Sequence, residues 1–155
     1  MAQTGHVTHI CIGPVAGGQM QEVQEVQALE NRGLEGDRYC RGEGSFNKDR
    51  QGKRQVTLIN GLFLEGSGFD PVDTRRSIVT LGVELMDLIG KEFQIGDAVF
   101  YGVKYCDPCT RPSKLASKDT SFKEAFHDRG GLIAEVRQSG RICVGSPVIP
   151  PAKDY

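Results

Sequence analysis

The chain has 155 residues, of which 38% are hydrophobic and 25% charged, and 19 Lys and Arg against 20 Asp and Glu leave a net charge of −1. This length and balance predict one globular domain with a core of its own and argue against a basic nucleic-acid-binding protein. No apolar run reaches the roughly 18 residues of a membrane span, and the first residues lack the basic start of an export signal. We therefore expect a cytoplasmic protein that binds neither membrane nor nucleic acid.

Short strands dominate the first half of the predicted structure. Val7–Ile12 alternates apolar and polar residues, which is the pattern of a half-buried strand. Gln21–Glu30 is ambiguous, because Val23, Val26 and Leu29 recur at helical spacing while glycines bracket the segment closely. The elements that follow comprise a strand at Gln55–Ile59, a short helix or turn at Leu62–Glu65, a strand at Ser77–Thr80 and helical turns at Val83–Ile89.

Two hairpins and a closing strand are predicted in the second half. Gly96-Asp97 separates the strand segments Phe93–Ile95 and Ala98–Val103, and such a dipeptide between apolar runs is a hairpin signal. The second hairpin comprises, in chain order, Leu132–Val136, Ser139-Gly140 and Arg141–Val144. Val148-Ile149 is then the strand that closes the sheet.

One amphipathic helix is predicted between the two hairpins. Across Pro112–His127, the side chains of Leu115, Phe122 and Phe126 fall on roughly one helical face, and Pro112 suits the first helical position.

The elements together indicate a mainly β fold. Short strands, frequent turns and 20 glycines are typical of a β-barrel with a few short helices. No linker or repeat divides the chain, so a single domain is predicted over residues 1–155, with its core at about 5–149 and a tail at 150–155.

The cysteines are candidates for chemistry. Their number, five, is odd, and the expected compartment is reducing, so the thiols are predicted to be free. The motif Cys106-Asp107-Pro108-Cys109 lies between a predicted strand and a predicted helix. A helix N-terminus and nearby cations, here Arg111 and Lys114, favour thiolate over thiol. Cys109 is closer to the helix and therefore gains more than Cys106.

Four interpretations of this pair stay open at this point. A structural zinc site needs four ligands, and the three histidines show no matching spacing, so no zinc is expected. A dithiol redox pair would suit a βαβ unit, which the predicted elements lack. Otherwise the two cysteines are buried and inert, or one of them is a functional thiolate. The remaining cysteines, for which packing is the default, are Cys11, Cys40 and Cys143.

Arginines in two further segments are candidates for binding an anion. Gly33–Arg38 is a predicted tight turn whose backbone N–H groups could face a ligand, and Arg75-Arg76-Ser77 presents two guanidinium groups suited to phosphate. Basic residues outnumber acidic ones in residues 32–54 and 104–155, which flank an acidic middle, so the two segments could converge on one site. Taken singly, a plain loop and an exposed surface pair are the alternatives.

In order and spacing, these motifs resemble the MOSC family, the domain found at the C-terminus of molybdenum cofactor sulfurases. The resemblance covers nearly the whole chain and rests on Gly33–Arg38, Arg54–Ile59, Arg75–Ile78, Gly82–Gly96, Gly102 with Cys106–Cys109, Arg129–Leu132 and Gly140–Ile142. It implies a β-barrel and strands at Gln21–Glu30. The chain departs from the family pattern at Ser77, where the family has asparagine, and at Ser146, where it has aspartate.

The resemblance also implies a molybdopterin-type cofactor and a cysteine that ligates molybdenum or carries sulfane sulfur. By that match Cys109 is the reactive and metal-binding cysteine, with Cys106 beside it. The implied cofactor-binding residues are Gly36, Asp37, Arg38, Arg54, Arg75, Arg76, Ser77 and Arg111. Replacing Arg76 with alanine is expected to weaken pterin-phosphate binding without unfolding the chain. Pyridoxal phosphate binding is likewise associated with the family.

The implied function is the handling of molybdenum cofactor or of its sulfur, as an oxidoreductase that supports reduction of N-hydroxylated compounds or as a sulfur transferase. Implied partners are a cysteine desulfurase-type sulfur donor, an electron-transfer protein and a small-molecule substrate. Two other functions are considered. One is a non-catalytic anion-binding or protein-interaction module on the same barrel, motivated by Ser77 and Ser146; the other is a thiol redox protein using Cys106 and Cys109.

Overall fold

The computed structural model describes residues 4–43, 54–108, 111–116 and 121–151. The strands in these ranges are β1 (Gly5–Ile12), β2 (Gln21–Val23), β3 (Glu25–Leu29), β4 (Gly33–Leu34), β5 (Val56–Asn60), β6 (Ile78–Leu81), β7 (Glu92–Ile95), β8 (Ala98–Tyr105), β9 (Leu132–Gln138), β10 (Gly140–Cys143) and β11 (Pro147–Ile149). The helices are α1 (Arg111–Leu115) and α2 (Phe122–Ala125), with 3-10 turns at Gly61–Phe63, Pro71–Thr74 and Leu85–Leu88.

Seven of these strands close into a barrel. The order around it is β1, β11, β7, β8, β9, β5 and β6, and β6 pairs again with β1. Neighbouring strands are antiparallel except β5 and β6, which are parallel. Strand β11 makes the closure, because it pairs with β7 on one side and with Gly5 and His6 of β1 on the other. The predicted β-barrel, with its closing strand at Val148-Ile149, is confirmed.

The barrel interior holds the main hydrophobic core. In β1 a bulge between Val7 and His9 shifts the alternation, which is why Val7 and Ile10, three residues apart, both reach this core. Across the β7–β8 hairpin, Phe93 and Phe100 stack inside the barrel with ring centroids 5.8 Å apart. The hairpin predicted at Gly96-Asp97 is therefore confirmed.

A second, smaller core covers the outer face of β5 and β6. Ile59 and Val79 point away from the barrel and pack with Phe69, Phe122 and Phe126. The rings of Phe122 and Phe126 are stacked at 4.5 Å between centroids. Because these two strands are buried on both faces, their sequences are almost continuously apolar instead of alternating.

Two predictions about strand pairing have different outcomes. The segment Gln21–Glu30 forms β2 and β3, as the resemblance implied and against its helical spacing. The second predicted hairpin is wrong, because β9 pairs with β5 and β8 whereas β10 pairs with β3 in a separate sheet of order β10, β3, β4. The turn at Ser139 lets the chain change sheets, and the Ser139 hydroxyl accepts the N–H of Glu30 at 2.8 Å.

The predicted helix across Pro112–His127 is present only as the two short helices α1 and α2, with residues 117–120 outside the described ranges. Phe122 and Phe126 are fully buried, as expected for a core face, but Leu115 is 43% exposed. The Ser113 hydroxyl, which accepts the N–H of Phe122 at 2.6 Å, joins the helices. No helix in the described part of the chain is long and apolar enough to cross a membrane.

Candidate functional site

Asp37 and Arg38 form a buried ion pair behind the loop of residues 13–20. Oδ1 of Asp37 accepts the N–H of Gly13 at 2.7 Å, and it lies 3.2 Å from Nη1 of Arg38. The same nitrogen of Arg38 reaches the carbonyl oxygen of Gly13 at 3.4 Å and Sδ of Met20 at 3.6 Å. The pair therefore fixes both ends of the loop.

The environment of Asp37 opposes its ionisation. Burial raises the pKa of this carboxyl above its ordinary value, and the N–H groups of Gly13 and Tyr39 and the Arg38 guanidinium lower it in part. Two backbone donors and a cation are what a buried carboxylate needs in order to be tolerated. In the predicted turn Gly33–Arg38, the side chains of Asp37 and Arg38 therefore make contacts inside the fold. Gly36 lies exposed beside them.

Arg75 borders a cleft of about 340 Å³ between loop 13–20, the 3-10 turn Pro71–Thr74 and helix α1. Its Nη1 donates a hydrogen bond of 2.7 Å to the carbonyl oxygen of Gly18. The cleft is lined by Gly17, Gly18, Gln19, Met20, Val72, Asp73, Arg75, Pro112, Leu115 and Ala116. It therefore combines a guanidinium and a carboxylate with backbone carbonyl groups and an apolar wall. Since α1 begins two residues after Cys109, the cleft borders the segment that follows the predicted reactive cysteine.

Arg76 has different surroundings from Arg75. Its side chain is buried, its Nε donates to the carbonyl oxygen of Gly130 at 2.7 Å, and its guanidinium carbon lies 5.4 Å from the ring centroid of Phe122. These contacts connect the start of β6 to the turn before β9. Because an arginine that bridges two segments also holds them together, Arg76 has a part in the stability of the fold, and its action on a pterin phosphate stays a prediction.

Ser77 is buried and faces the neighbouring strand. Its hydroxyl oxygen lies 3.4 Å from Oγ1 of Thr57, and its own N–H donates to that same atom at 3.1 Å. Ser77 therefore ties β6 to β5 and does not line the cleft.

Cys106 rests on the glycine pair Gly130-Gly131. Its N–H donates to the carbonyl oxygen of Gly131 at 2.9 Å, and its side chain is fully buried. A Cβ at Gly131, where φ is +111°, would lie 1.9 Å from the carbonyl oxygen of Leu58, and one at Gly130 would lie 2.1 Å from that of Cys106. Only glycine fits such close approaches. Arg76 and Cys106 thus meet at one turn.

Three further residues, Cys109, Arg111 and Arg54, were predicted to belong to the site. Cys109 lies outside the described residues, so its role as the reactive and metal-binding cysteine stays a prediction. Arg111 is the first residue of α1. Arg54 is half-buried just before β5, and because β5 runs parallel to β6, it lies at the same end of the barrel as the arginine pair.

The remaining cysteines are free thiols in structural settings. Cys11 and Cys40 are buried, whereas Cys143 is half-buried on β10. Burial, together with the nearby carboxylate of Glu22, raises the pKa of Cys11 to about 12, which keeps its sulfur protonated at neutral pH.

Loop 13–20, which no sequence motif marked as part of a site, forms one wall of the cleft. Gly13 has no room for a side chain, because a Cβ there would lie 2.5 Å from both Nη1 of Arg38 and Sδ of Met20. Gly17 and Gly18 border the cleft directly. The signal available was the density of glycines between the first two strands, which indicates close backbone approaches.

The described residues thus form a closed β-barrel domain with one arginine, Arg75, at a cleft beside helix α1. The chain belongs to the MOSC domain family, whose profile matches residues 53–149. It is accordingly a domain related to those of molybdenum cofactor sulfurases. A search of curated protein sequences finds no match.

Solved structures share the fold at low sequence identity. The YuaD protein from Bacillus subtilis superposes with a TM-score of 0.76 at 13% identity, over 94% of each chain. YiiM from Geobacillus stearothermophilus gives 0.70 at 14% identity, over 96% of this chain and 75% of its own. YiiM from Escherichia coli gives 0.64 at 16% identity, over 100% and 72%. At these identities the comparisons establish the barrel fold alone.

Proposed function

We propose that this protein handles molybdenum cofactor, or the sulfur that the cofactor requires, with Cys109 as the sulfur-bearing residue. One observation carries the proposal: Arg75, loop 13–20 and the helix that follows Cys109 border one cleft. An anionic ligand in this cleft would meet a guanidinium while its far end reached the cysteine segment. MOSC family membership supports the same reading.

The residues at the cleft fit a pterin-type cofactor in kind. The volume of about 340 Å³ is within the range of about 300–1,000 Å³ that is usual for ligand sites. Arg75 would hold the phosphate, the exposed side chain of Leu115 would face the ring system, and Cys109 would offer a soft thiolate. In the described ranges no three His, Cys, Asp or Glu side chains are grouped to hold a metal ion. A single cysteine suffices for a metal that arrives with ligands of its own.

The chemistry then divides between cofactor and chain. When bound, molybdenum cofactor would supply a redox-active metal centre, on which reduction of an N-hydroxylated compound would draw. The chain would fix the anionic group through Arg75 and position loop 13–20 through the Asp37–Arg38 pair. Electrons for such a reduction would come from a partner protein. The same guanidinium would also suit the phosphate of pyridoxal phosphate.

Sulfur carriage uses the same cysteine. The thiolate of Cys109 would attack the terminal sulfur of a persulfide on a cysteine desulfurase-type donor, forming a new S–S bond as the donor's thiolate leaves. No external oxidant is needed, since the transferred sulfur keeps its oxidation state. We place both activities in the cytoplasm, where the thiols stay reduced.

The test is replacement of Cys109 by serine after expression in a host that makes the cofactor. We expect the wild-type protein to retain molybdenum or cyanolysable sulfur and Cys109→Ser to lose both. Cys143→Ser, which changes a half-buried thiol on β10, is the matched control and should behave as wild type. A wild-type protein that retains neither species under conditions that preserve both would contradict the proposal.

A non-catalytic anion-binding module is the second candidate. It is favoured by Ser77, which stands where the family has asparagine: the amide is absent, and the hydroxyl faces Thr57 and does not line the cleft. Reactivity of Cys109 separates the two candidates. If Cys109 is alkylated no faster than a free thiol with a pKa of about 8.5, the non-catalytic module is favoured. If Cys106→Ser keeps the activity that Cys109→Ser abolishes, a dithiol redox role is excluded.

A further inference from the structure

Loop 13–20 is held differently at its ends and in its middle. At its ends, the Gly13 N–H is bound by Asp37 and the Met20 sulfur by Arg38, both inside the fold. In its middle, the loop carbonyl groups accept hydrogen bonds from guanidinium groups of two distant segments. These bonds run from Arg41 to the carbonyl oxygen of Pro14 and from Arg75 to that of Gly18.

The bond between Arg75 and Gly18 lies where a ligand would bind. Arg75 and Gly18 both line the 340 Å³ cleft, and the Gly18 carbonyl oxygen occupies a guanidinium N–H at 2.7 Å. A carbonyl is a neutral acceptor, whereas phosphate and similar oxyanions form charge-assisted hydrogen bonds to guanidinium that are roughly twice as strong. An oxyanion in the cleft therefore competes with the loop for the same donor and has the advantage.

We propose that an oxyanion entering this cleft replaces the Gly18 carbonyl on Arg75 and thereby releases the middle of loop 13–20, while the ends at Gly13 and Met20 stay fixed. Gly17 and Gly18 border the cleft and permit such a rearrangement with little steric cost. The inference rests on the cleft being the ligand site of the proposed function. It adds that ligand binding and loop opening are one exchange, so part of the binding free energy goes into breaking the Arg75–Gly18 bond.

Amide hydrogen exchange on the ligand-free protein tests the exchange directly, with inorganic phosphate as the probe and ionic strength held constant with chloride. The Gly18 N–H, which donates to the Val15 carbonyl oxygen at 3.0 Å, reports on the middle of the loop. Its exchange should accelerate roughly two- to tenfold as phosphate saturates, the factor that loss of one hydrogen bond corresponds to. The Gly13 N–H, bound by Asp37 at 2.7 Å, should not change and is an internal control.

Two variants separate the proposal from a general effect of anions. In Arg75→Gln, the Gly18 N–H should exchange fast without phosphate and show no response to it. Arg137→Gln removes a cation that stacks on Tyr101 of β8 instead of lining the cleft, and it should respond as wild type. The chain has no tryptophan and Val15 is 64% exposed, so Val15→Trp introduces a single tryptophan, whose fluorescence, excited at wavelengths that tyrosine does not absorb, should follow the same titration.

The outcomes are decisive in both directions. Saturable acceleration at Gly18 that depends on Arg75 supports the exchange. Phosphate binding without acceleration, or no effect of phosphate at any concentration tested, overturns it. Failure of the proposed function is a separate result, because it appears as loss of molybdenum and sulfur from protein made in a cofactor-producing host, while the loop in ligand-free protein still opens with phosphate.

Discussion

Three arginines for which the sequence predicts the same role, Arg38, Arg75 and Arg76, differ in what their guanidinium groups contact. Arg38 is paired with Asp37 behind loop 13–20, Arg75 reaches a loop carbonyl group in the cleft, and Arg76 crosses to the turn before β9. Nothing in the sequence indicates these differences, and anion binding by any of the three arginines stays a prediction. Their division of labour follows from backbone direction, since Arg75 has a left-handed φ of 58° that separates its side chain from that of Arg76.

The buried thiol of Cys11 makes the stability of the protein depend on pH. Its folded-state pKa of about 12 exceeds the ordinary value of 9.0, so the unfolded chain loses this proton at a lower pH than the folded chain. The contribution of Cys11 to stability should be complete below pH 9 and decline as the pH rises towards 12. At pH 10 the decline should be about 1.4 kcal/mol, the free energy of one pKa unit.

The measurement compares denaturant unfolding of wild type and Cys11→Ala between pH 7 and pH 10. Contributions from the groups that the two proteins share cancel in the difference. The stability advantage of wild type should shrink above about pH 9. A difference that is independent of pH would show that the Cys11 thiol ionises in the folded protein as readily as in the unfolded chain.

Elements of this fold are joined by side chains that cross between distant segments. Ser113 connects α1 to α2, and Arg76 connects the start of β6 to Gly130. Because α1 has only five residues, its dipole would contribute little to the proposed activation of Cys109, less than the predicted helix across Pro112–His127 would. Cations near the cysteine would therefore have to supply most of that effect.

Arg76→Ala and Arg75→Ala are a matched pair of variants that compare how much each arginine contributes to stability. Arg76 is buried and loses a hydrogen bond to Gly130 together with its contact with the Phe122 ring, so its replacement should lower the free energy of unfolding by about 2 kcal/mol. Arg75 is only partly buried, and its replacement should cost less than about 1 kcal/mol. Thermal and urea unfolding of the ligand-free proteins measure both. If Arg76→Ala were as stable as wild type, the contacts of Arg76 with Gly130 and Phe122 would not stabilise the fold.

Closure of the whole barrel depends on three residues, those of strand β11. Strand β11 spans Pro147–Ile149, and Val148 pairs with Gly5 of β1 and with Ile95 of β7. The fold therefore joins the two ends of the described chain through one short strand. Contacts so distant in sequence are slow to form, because the loop they close is long.

Val148→Ala and Ile149→Ala test this closure with neighbouring residues. Val148 is fully buried in the barrel core, so its truncation should cost about 2 kcal/mol of unfolding free energy. Ile149 is 41% exposed, and its truncation should cost clearly less. Urea unfolding curves give both values. If the two variants were equally stable, β11 would not be an integral part of the barrel.

The class of fold and the positions of most strands could be predicted from the sequence alone. Alternation, turn dipeptides and the order of the motifs are local or one-dimensional signals, which is why they predicted the β7–β8 hairpin and the closing strand correctly. They also made the arginines and the cysteine motif candidates for binding an anion and for carrying sulfur, and these roles stay predictions.

Tertiary structure alone decided which of these residues meet. The chain between β9 and β10 has the pattern of a hairpin, yet the two strands enter different sheets because β3 pairs with β10 and β5 pairs with β9. Likewise, loop 13–20 became a wall of the cleft through bonds to Arg38 and Arg75, residues distant from it along the chain. Pairing partners and side-chain directions depend on long-range contacts, and no local pattern encodes these.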